Sequence, residues 1–338
     1  MQKSVPPPQD APPLVSIVIK TLNEEHNIGR TLVAALAATK GISSEIILAD
    51  SLSEDRTIDI AKKYPVRIVQ LTHIRDRGCG AGPQLGYQHA RGEFICLIDG
   101  DMALSPEFLV LALESMRADP CLAGVAGVVS TLGGSSYEFE IRKRREAAAM
   151  KAGDKEWLGG GGLYRRVAIE QVGYFSNRNL HAKEEEELGV RLTSAGWRLT
   201  RIPTTFVTHY AHADPTLALI WRRWSAHYVD GPGELLIASI GKRYFFPILW
   251  RQRYYLSVIG YWLALLLALA VARITLSPAV ALLTIGFAVY LLFVLKKGGF
   301  TKALASLLLI HVQAAGLIRG LLRRHKNPHS PLETCIVQ

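Results

Sequence analysis

The amino-acid sequence predicts an α/β fold, with a mostly parallel sheet flanked by helices, followed by a transmembrane helical hairpin. Two observations indicate this. Short β-branched runs alternate with helical patterns over about the first hundred residues, and the sequence after about Tyr254 is strongly apolar. Hydrophobic residues make up 49% of the 338 residues and charged residues 20%, which exceeds the apolar content of an average soluble enzyme. The chain therefore has room for one sizeable domain and a membrane segment.

Four buried strands are predicted in the first part, at Leu14–Lys20, Glu45–Asp50, Val66–Leu71 and Phe94–Ile98. Two helical patterns and a glycine-rich loop lie between them, at Ile28–Thr39, Ile58–Tyr64 and Gly78–Gly86. A short helix continues from this loop to Arg91. Such alternation favours parallel strands covered on both faces, and ligands bind these sheets beyond the carboxyl ends of the strands.

The next part of the sequence is less regular. Helices are predicted at Pro106–Met116 and Tyr137–Lys151, with a strand at Gly124–Thr131 between them. A glycine cluster at Gly159–Gly162 precedes an acidic run, Glu184–Glu187, which opens a helix through Leu192. Glu187 and Arg191 are four residues apart on this helix, so they form an ion pair of about a few tenths of a kcal/mol.

Sequence composition divides the chain into five segments. They are a disordered arm at 1–13, a catalytic domain at 14–214, interfacial helices or a linker at 215–253, two transmembrane helices within 254–295, and a final segment at 296–338. The two spans, Tyr254–Ala272 and Ser277–Leu295, are long enough to cross a bilayer. The last apolar stretch, Ala303–Leu322, contains His311, Gln313 and Arg319. An interfacial helix is favoured there over a third span, which would place the following basic residues outside.

The charge distribution predicts contact with a membrane surface. The net charge is +10, and many basic residues adjoin apolar stretches: Arg222, Arg223, Lys242, Arg243, Arg251, Arg253, Lys296, Lys297, Arg323, Arg324 and Lys326. This pattern indicates membrane lipids rather than nucleic acid as the partner. It predicts a multi-pass protein of the cytoplasmic membrane whose catalytic domain faces the cytoplasm. The four cysteines form no CxxC pair, which fits a reducing compartment, and the proline-rich N-terminus has no apolar core of a signal peptide.

The strongest local signal is Asp99-Gly100-Asp101, which follows the apolar strand FICLI. Two carboxylates two residues apart in extended chain project to the same side. This oxygen-only geometry suits Mn²⁺ or Mg²⁺ shared with phosphate oxygens. Asp50 also ends a strand and is expected to face the same crevice, where it can accept hydrogen bonds from a base or ribose.

Taken in order, the segments VSIVIKTLNEE, LADSLSEDRT, ARGEFICLIDGDM, GGGGLYRR and EEEELGVRL resemble glycosyltransferase family 2, whose members are inverting enzymes with the GT-A fold. The resemblance covers residues 14 to about 210. It implies that Thr21, Asn23 and Glu24 line a nucleotide pocket and that Asp50 contacts the base. It also implies that Asp99 and Asp101 hold a metal ion and the diphosphate.

The acidic helix start of the family corresponds to Glu184 and Glu185. The resemblance implies that Glu185 is the general base, with Glu184 as the second candidate. His209 is a further candidate for contact with metal or phosphate, while Arg222 and Arg223 are candidates for neutralising the leaving diphosphate. The expected donor is a nucleotide sugar, with UDP as the family's commonest nucleotide. The expected acceptor is a lipid-linked or cell-surface glycan, as in polysaccharide biosynthesis.

Departures from the family pattern bear on the alternatives. Lys20 stands where the family often has proline, and Leu52 where it often has glycine. Trp221-Arg222-Arg223-Trp224 lacks the glutamine of processive synthases, and Asp101-Met102-Ala103 lacks the Leu-Gln typical of polyprenyl-phosphate sugar transferases. Both remain alternatives. The acidic loop after the first strand disfavours a nucleotidyltransferase, and the intact carboxylates disfavour an inactive scaffold. A dehydrogenase is disfavoured because the glycines follow the third strand and not the first.

Overall fold

The computed structural model describes residues 12–132, 151–210, 216–271, 277–297 and 299–338. Over these ranges the chain forms two compact units. The first contains the residues up to Ala218 together with His325–Gln338, and the second contains Leu219–Arg324. Two predicted features lie outside the described residues: most of the arm at 1–13, and the helix at Tyr137–Lys151 except for its last residue.

A ten-stranded sheet forms the centre of the first unit. Its strands are β1 (Val15–Thr21), β2 (Ser44–Asp50), β3 (Arg67–Leu71), β4 (Phe94–Asp99), β5 (Met102–Leu104), β6 (Leu122–Leu132), β7 (Gly153–Lys155), β8 (Gly162–Arg165), β9 (Arg198–Tyr210) and β10 (Thr334–Ile336). The order is β10-β3-β2-β1-β4-β8-β6-β9-β5, with β7 also paired to β9. Strands β3, β2, β1 and β4 are parallel, as predicted.

The α/β class is confirmed, but the sheet is mixed because the strands outside this parallel core add antiparallel pairs. Strand β8 is antiparallel to both β4 and β6, and β5 and β7 are antiparallel to β9. Strand β8, which lies within and after the glycine cluster, was not predicted. Strand β9 was not predicted either, because arginines and a proline interrupt its apolar alternation.

Helices cover both faces of the sheet. They are α1 (Ile28–Ala38), α2 (Thr57–Ala61), α3 (Ala81–His89), α4 (Pro106–Ala118), α5 (Arg166–Gln171) and α6 (Glu184–Ser194). Alternate residues of β1 enter different cores, as expected for a strand covered on both sides. Ile17 packs in the core that contains Leu32 of α1, whereas Val18 packs in the core that contains Leu85 of α3.

Helix α3 begins inside the segment that the sequence predicted to be a loop. Its glycines allow the helix to lie directly on the sheet: a Cβ added to Gly86 would lie 2.2 Å from Val18 Cγ1. The helix therefore tolerates the low intrinsic propensity of glycine because close packing on β1 requires a residue without a side chain.

Residues 325–338, which the sequence analysis grouped with the last apolar segment, return to the first unit. Strand β10 pairs antiparallel with the edge strand β3. The Val337 N–H donates to the Ile68 carbonyl over 2.8 Å, and the Ile68 N–H donates to the Gln338 carbonyl over 2.8 Å. Lys326 and Arg178 both contact the Asp76 carboxylate, whose side chain is 9% exposed. This tail is an integral part of the sheet.

The second unit is helical. Helix α7 (Thr216–Ser225) leads into it, and α8 (Gly231–Ser239), α9 (Phe245–Arg251), α10 (Arg253–Val271), α11 (Ser277–Lys297) and α12 (Phe300–Leu321) follow. Helix α12 packs closely on α8, since a Cβ added to Gly233 would lie 2.1 Å from the Leu317 carbonyl oxygen. Beside this contact the buried Asp230 carboxylate accepts a 2.7 Å hydrogen bond from Arg319 Nε.

Helices α10, α11 and α12 are long and apolar enough to cross a membrane. The mean hydropathy of their most apolar stretches is 2.0, 2.4 and 1.6, respectively, and little of α10 and α11 is buried within the protein. Large apolar side chains on their surfaces, such as Leu267 and Phe287, are more than 60% exposed. These helices indicate that the protein associates with a membrane.

Candidate functional site

Three predicted site residues meet at one edge of the sheet because their strands are parallel neighbours. Thr21 ends β1 and lies opposite Asp50, which ends β2. Lys20 lies opposite Asp99 at the end of β4. This edge is formed by the carboxyl ends of the strands, where open α/β sheets bind ligands.

The loop after β1 and the loop after β2 hold each other through hydrogen bonds. The Asn23 N–H donates to Ser53 Oγ over 2.9 Å, and the Asn23 carboxamide oxygen accepts the Glu54 N–H over 2.8 Å. Asn23 adopts a left-handed backbone with φ of 57°, which asparagine tolerates better than most residues. The Glu24 N–H donates to Thr57 Oγ1 over 2.8 Å. Asn23 and Glu24 therefore have a fixed place at the rim of the crevice.

Asp50 is fully buried and organises this pair of loops. Its carboxylate accepts hydrogen bonds from the Ser53 N–H, from Ser53 Oγ and from Gln70 Nε2, at distances of 2.9, 2.5 and 2.8 Å. Leu52 in the same loop has φ of 64°, a conformation that suits glycine. This explains why the family often has glycine at this position. A contact between Asp50 and a nucleotide base stays a prediction.

The structure brings Asp101 and His209 together. Strands β5 and β9 pair next to them, and His209 Nε2 lies 3.1 Å from Asp101 Oδ2. The other carboxylate oxygen, Asp101 Oδ1, is buried without a hydrogen-bond partner among the described residues, as are His209 Nδ1 and Thr21 Oγ1. Buried polar atoms normally have partners, so these atoms are suited to contact a ligand.

Asp99 has a different partner from Asp101. Lys20 Nζ lies 3.2 Å from Asp99 Oδ1 and 3.1 Å from Glu184 Oε1. The ammonium group thus joins the first aspartate of the DxD motif to the first residue of α6. Burial lowers the pKa of Lys20, but the carboxylates of Asp99 and Glu184 outweigh this effect and raise it well above its usual range. Lys20 therefore remains charged.

Glu185 is bound by the glycine loop that precedes β8. Its two carboxylate oxygens accept the N–H groups of Gly160 and Gly161 over 2.8 and 2.5 Å, respectively. Both glycines have left-handed backbones, with φ of 86° and 89°. Burial and the adjacent Glu184 carboxylate raise the pKa of Glu185 to about 7, although Lys20 opposes this shift. A carboxyl group with this pKa is suited to general base catalysis near neutral pH.

The other two glutamates of the acidic run have structural contacts. Glu187 forms the predicted ion pair with Arg191, whose Nε and one terminal nitrogen each donate over 2.8 Å. Glu187 also accepts a 2.7 Å hydrogen bond from the Tyr174 hydroxyl and is fully buried. Glu186 pairs with Lys183 over 3.1 Å. Of the four glutamates, Glu184 and Glu185 are thus the two whose contacts lie at the crevice.

The fit to a divalent metal ion rests on Asp101. Within the ranges that the structure describes, no three His, Cys, Asp or Glu side chains converge on one metal position. Asp101 Oδ1 is nevertheless buried and unpartnered, while Asp99 faces Lys20. A site with few protein ligands fits Mg²⁺ or Mn²⁺ whose remaining ligands are phosphate oxygens and water. Asp101 thus fits such an ion, with Asp99 and His209 beside it.

Some contacts at this edge could not be predicted from the sequence. Lys20 was noted only as a departure from the family, and its pairing with Glu184 joins residues 164 positions apart. The glycine cluster was recognised, but its hydrogen bonds to Glu185 were not. Arg222 and Arg223 lie on α7 within the second unit, and their role toward the diphosphate stays a prediction.

Known proteins resemble this chain over the part that carries the site. The model of glycosyl transferase family 2 matches residues 16–173. A dolichol-phosphate mannosyltransferase of Pyrococcus furiosus is 28% identical over 107 residues, which are 30% of each chain. Succinoglycan biosynthesis protein ExoO of Rhizobium meliloti is 33% identical over 124 residues, 36% of this chain and 34% of that protein. The match thus spans about a third of these curated relatives.

A solved structure resembles the fold over most of its length. The mannosyltransferase PcManGT from Pyrobaculum calidifontis, in complex with GDP-Man and Mn²⁺, aligns with a TM-score of 0.58. The alignment covers 95% of this chain and 91% of that chain at 21% identity. This likeness confirms the GT-A fold. The family match lies on the segment that bears Asp50, Asp99 and Asp101, so the chain resembles glycosyltransferase family 2 over this segment.

Proposed function

We propose that this protein is an inverting glycosyltransferase that moves a sugar from a nucleotide-sugar donor to a lipid-linked or cell-surface glycan. The observation that carries this proposal is the arrangement at the sheet edge. Asp101 Oδ1 has no partner among the described residues, and Glu184, which begins α6 together with Glu185, pairs with Lys20 at the same edge. Asp99 and Asp101 suit the diphosphate and its cation, and Glu184 and Glu185 suit the acceptor hydroxyl.

In the proposed reaction, Glu185 accepts the proton of the acceptor hydroxyl. The acceptor oxygen then forms a bond to the anomeric carbon while the bond from that carbon to the diphosphate breaks, which inverts the configuration. Gly160 and Gly161 hold the carboxylate of Glu185 in place, and Lys20 holds Glu184 beside it. Mn²⁺ or Mg²⁺ bound at Asp101 would supply positive charge to the leaving diphosphate. The proposed donor is a UDP-sugar.

The proposed location is the cytoplasmic membrane, with the first unit facing the cytoplasm. Basic residues adjoining the apolar helices support this orientation. A second candidate function is transfer to a polyprenyl phosphate, which the similarity to a dolichol-phosphate mannosyltransferase favours.

The test uses the protein purified in detergent and measures release of nucleoside diphosphate from a panel of nucleotide sugars, with Mn²⁺, Mg²⁺ or EDTA. We expect turnover of one donor that EDTA abolishes and that Asp101→Asn reduces at least 100-fold. Asp59→Asn, at an exposed position of α2, serves as the matched control and should retain activity.

The acceptor is identified in the same assay. Addition of membrane glycolipid extract tests the main proposal, and addition of polyprenyl phosphate alone tests the second candidate. A charged, lipid-soluble sugar product with polyprenyl phosphate would establish the second candidate. Failure of every donor to bind or turn over, with extract present, would contradict both.

A further inference from the structure

The tail of the chain restricts how the second unit can lie in a membrane. The chain leaves the first unit after Ala218 and returns to it at His325. The returning segment is hydrogen-bonded into the sheet as β10, so it lies on the same side of a membrane as the strands before it. A sheet with open edges does not span a bilayer, because its backbone polar groups would be left unsatisfied in lipid.

Departure and return on one side require an even number of membrane crossings between Ala218 and His325. Among its described residues, the second unit contains three helices of sufficient length and hydropathy. Since three is an odd number, at most two of these helices can cross. Zero crossings would leave α10 and α11 in water with only 11% and 6% of their most apolar stretches buried. Moving a large apolar side chain out of water stabilises the protein by about 1.5–3 kcal/mol. Two crossings, which bury these side chains in lipid, are therefore favoured over none.

Helices α10 and α11 are best suited to cross. They have the highest mean hydropathy, 2.0 and 2.4, and only five residues connect them. The start of α10 also has the features of a membrane interface. Trp250 and Tyr254 are 69% and 60% exposed, and the Arg253 guanidinium lies 5.2 and 4.5 Å from their ring centres. Aromatic and basic residues of this kind mark the headgroup level.

Helix α12 is least suited to cross. Its mean hydropathy is 1.6, and a crossing would place His311 and Gln313 near the middle of the bilayer. Its C-terminal end is fixed by charged groups, since Arg319 and Arg323 contact the buried carboxylate of Asp230. Arg323 also approaches the buried carboxylate of Glu234 to 3.5 Å.

We propose that α10 and α11 form the crossing hairpin and that α12 does not cross but binds the lipid headgroup layer on the side that bears the first unit. In this arrangement, the end of α10 at Val271 and the start of α11 at Ser277 lie on the far side of the membrane. The proposal depends on the β10 pairing and not on the enzymatic activity, so the two can fail separately.

Native cysteines provide the probes for a test. Cys121 in the first unit and Cys335 in β10 are both exposed, whereas Cys96 is buried. Full-length variants that retain Cys96 and either Cys121 or Cys335 as the exposed thiol are treated in sealed vesicles with a membrane-impermeant maleimide. Ser277→Cys and Lys296→Cys report on the two ends of α11. In each of these variants Cys96 is kept, and Cys79, Cys121 and Cys335 are replaced by serine.

We expect Cys121, Cys335 and Lys296→Cys to react from the same side, and Ser277→Cys to react only after the vesicles are lysed. Protection of Cys335 where Cys121 reacts would establish an odd number of crossings and overturn the proposal. Reaction of Ser277→Cys with Lys296→Cys protected would assign the crossings to α11 and α12 and overturn the proposal. Reaction of all four sites in vesicles that protect an enclosed marker protein would show that no helix crosses.

Discussion

Individual carboxylates at the sheet edge differ in their partners, and these partners separate their roles. Asp101 retains an unpartnered buried oxygen, Asp99 and Glu184 share Lys20, and Glu185 is held by two backbone N–H groups. A carboxylate held by backbone groups keeps further lone pairs for an acceptor hydroxyl. Glu185 is therefore better placed than Glu184 to act as the base.

Glu185 should determine the pH dependence of the reaction. Its pKa is raised to about 7, so below this pH the carboxyl group is protonated and cannot accept the proton of the acceptor. We expect kcat/KM to fall as the pH decreases through about 7 and to be constant above it. Glu185→Gln should lower kcat about 100-fold or more while donor binding is retained. A profile that falls only near pH 4.5, or greater loss of activity in Glu184→Gln, would assign the base elsewhere.

Lys20 should support catalysis by linking Asp99 to Glu184. Lys20→Met leaves two neighbouring carboxylates without this cation, and we expect kcat/KM to decrease about 10- to 100-fold. Lys20→Arg keeps the positive charge and can still donate to both carboxylates, so it should retain most of the activity. Steady-state kinetics with the identified donor, together with circular dichroism of each variant, measures this. Equal decreases of kcat/KM in Lys20→Met and Lys20→Arg would show that the positive charge at this position does not support catalysis.

At the scale of elements, the first turn of α6 carries the two proposed catalytic residues, Glu184 and Glu185, and its later residues are buried. Glu187, Arg191 and Tyr174 form a hydrogen-bonded group beneath the active edge, and Arg191 also donates to the Tyr174 carbonyl over 2.7 Å. This group anchors α6 so that Glu184 and Glu185 in its first turn meet the crevice. The ion pair was predicted to support the helix by about a few tenths of a kcal/mol. Because both side chains are buried, breaking the pair should cost more stability than that.

Removal of Glu187 should leave the Arg191 charge buried without its carboxylate. We expect Glu187→Ala to lower the free energy of unfolding by about 3–5 kcal/mol. Glu170→Ala, at an exposed position of α5, is the matched control and should change it by less than about 0.5 kcal/mol. Denaturant unfolding of the detergent-solubilised protein provides the measurement, and similar values for both variants would contradict this role of the pair.

The sequence predicts elements well where local pattern and tertiary environment agree. The strands β1 to β4 are continuous apolar runs because helices cover both of their faces, and their ends locate Asp50 and Asp99 correctly at one edge. Strand β10 is short, partly exposed and paired with a strand far away in the chain, so it leaves no local pattern. The contacts of Lys20 and Glu185 likewise depend on which segments the fold brings together.

At the scale of the whole molecule, β10 protects the edge of the sheet. Val337→Pro removes the N–H group that donates to the Ile68 carbonyl, and we expect it to destabilise the protein by about 1–3 kcal/mol. Because the edge strand β3 is then less well covered, the variant should also aggregate more readily. Val337→Ala keeps the hydrogen bond and should have a smaller effect. Thermal unfolding and light scattering distinguish these outcomes.

The pairing of β10 with β3 also sets the order of events during biosynthesis. Near this pair, His73 and Glu333 are in contact although they are 260 positions apart, and the long apolar helices α10, α11 and α12 are synthesised between them. At about 5–20 residues per second, edge strand β3 waits roughly ten seconds to a minute for its partner. The sheet closes only in chains whose membrane helices have already been made and whose tail has emerged beside the first unit. Completion of the sheet therefore marks the end of synthesis of all three long apolar helices.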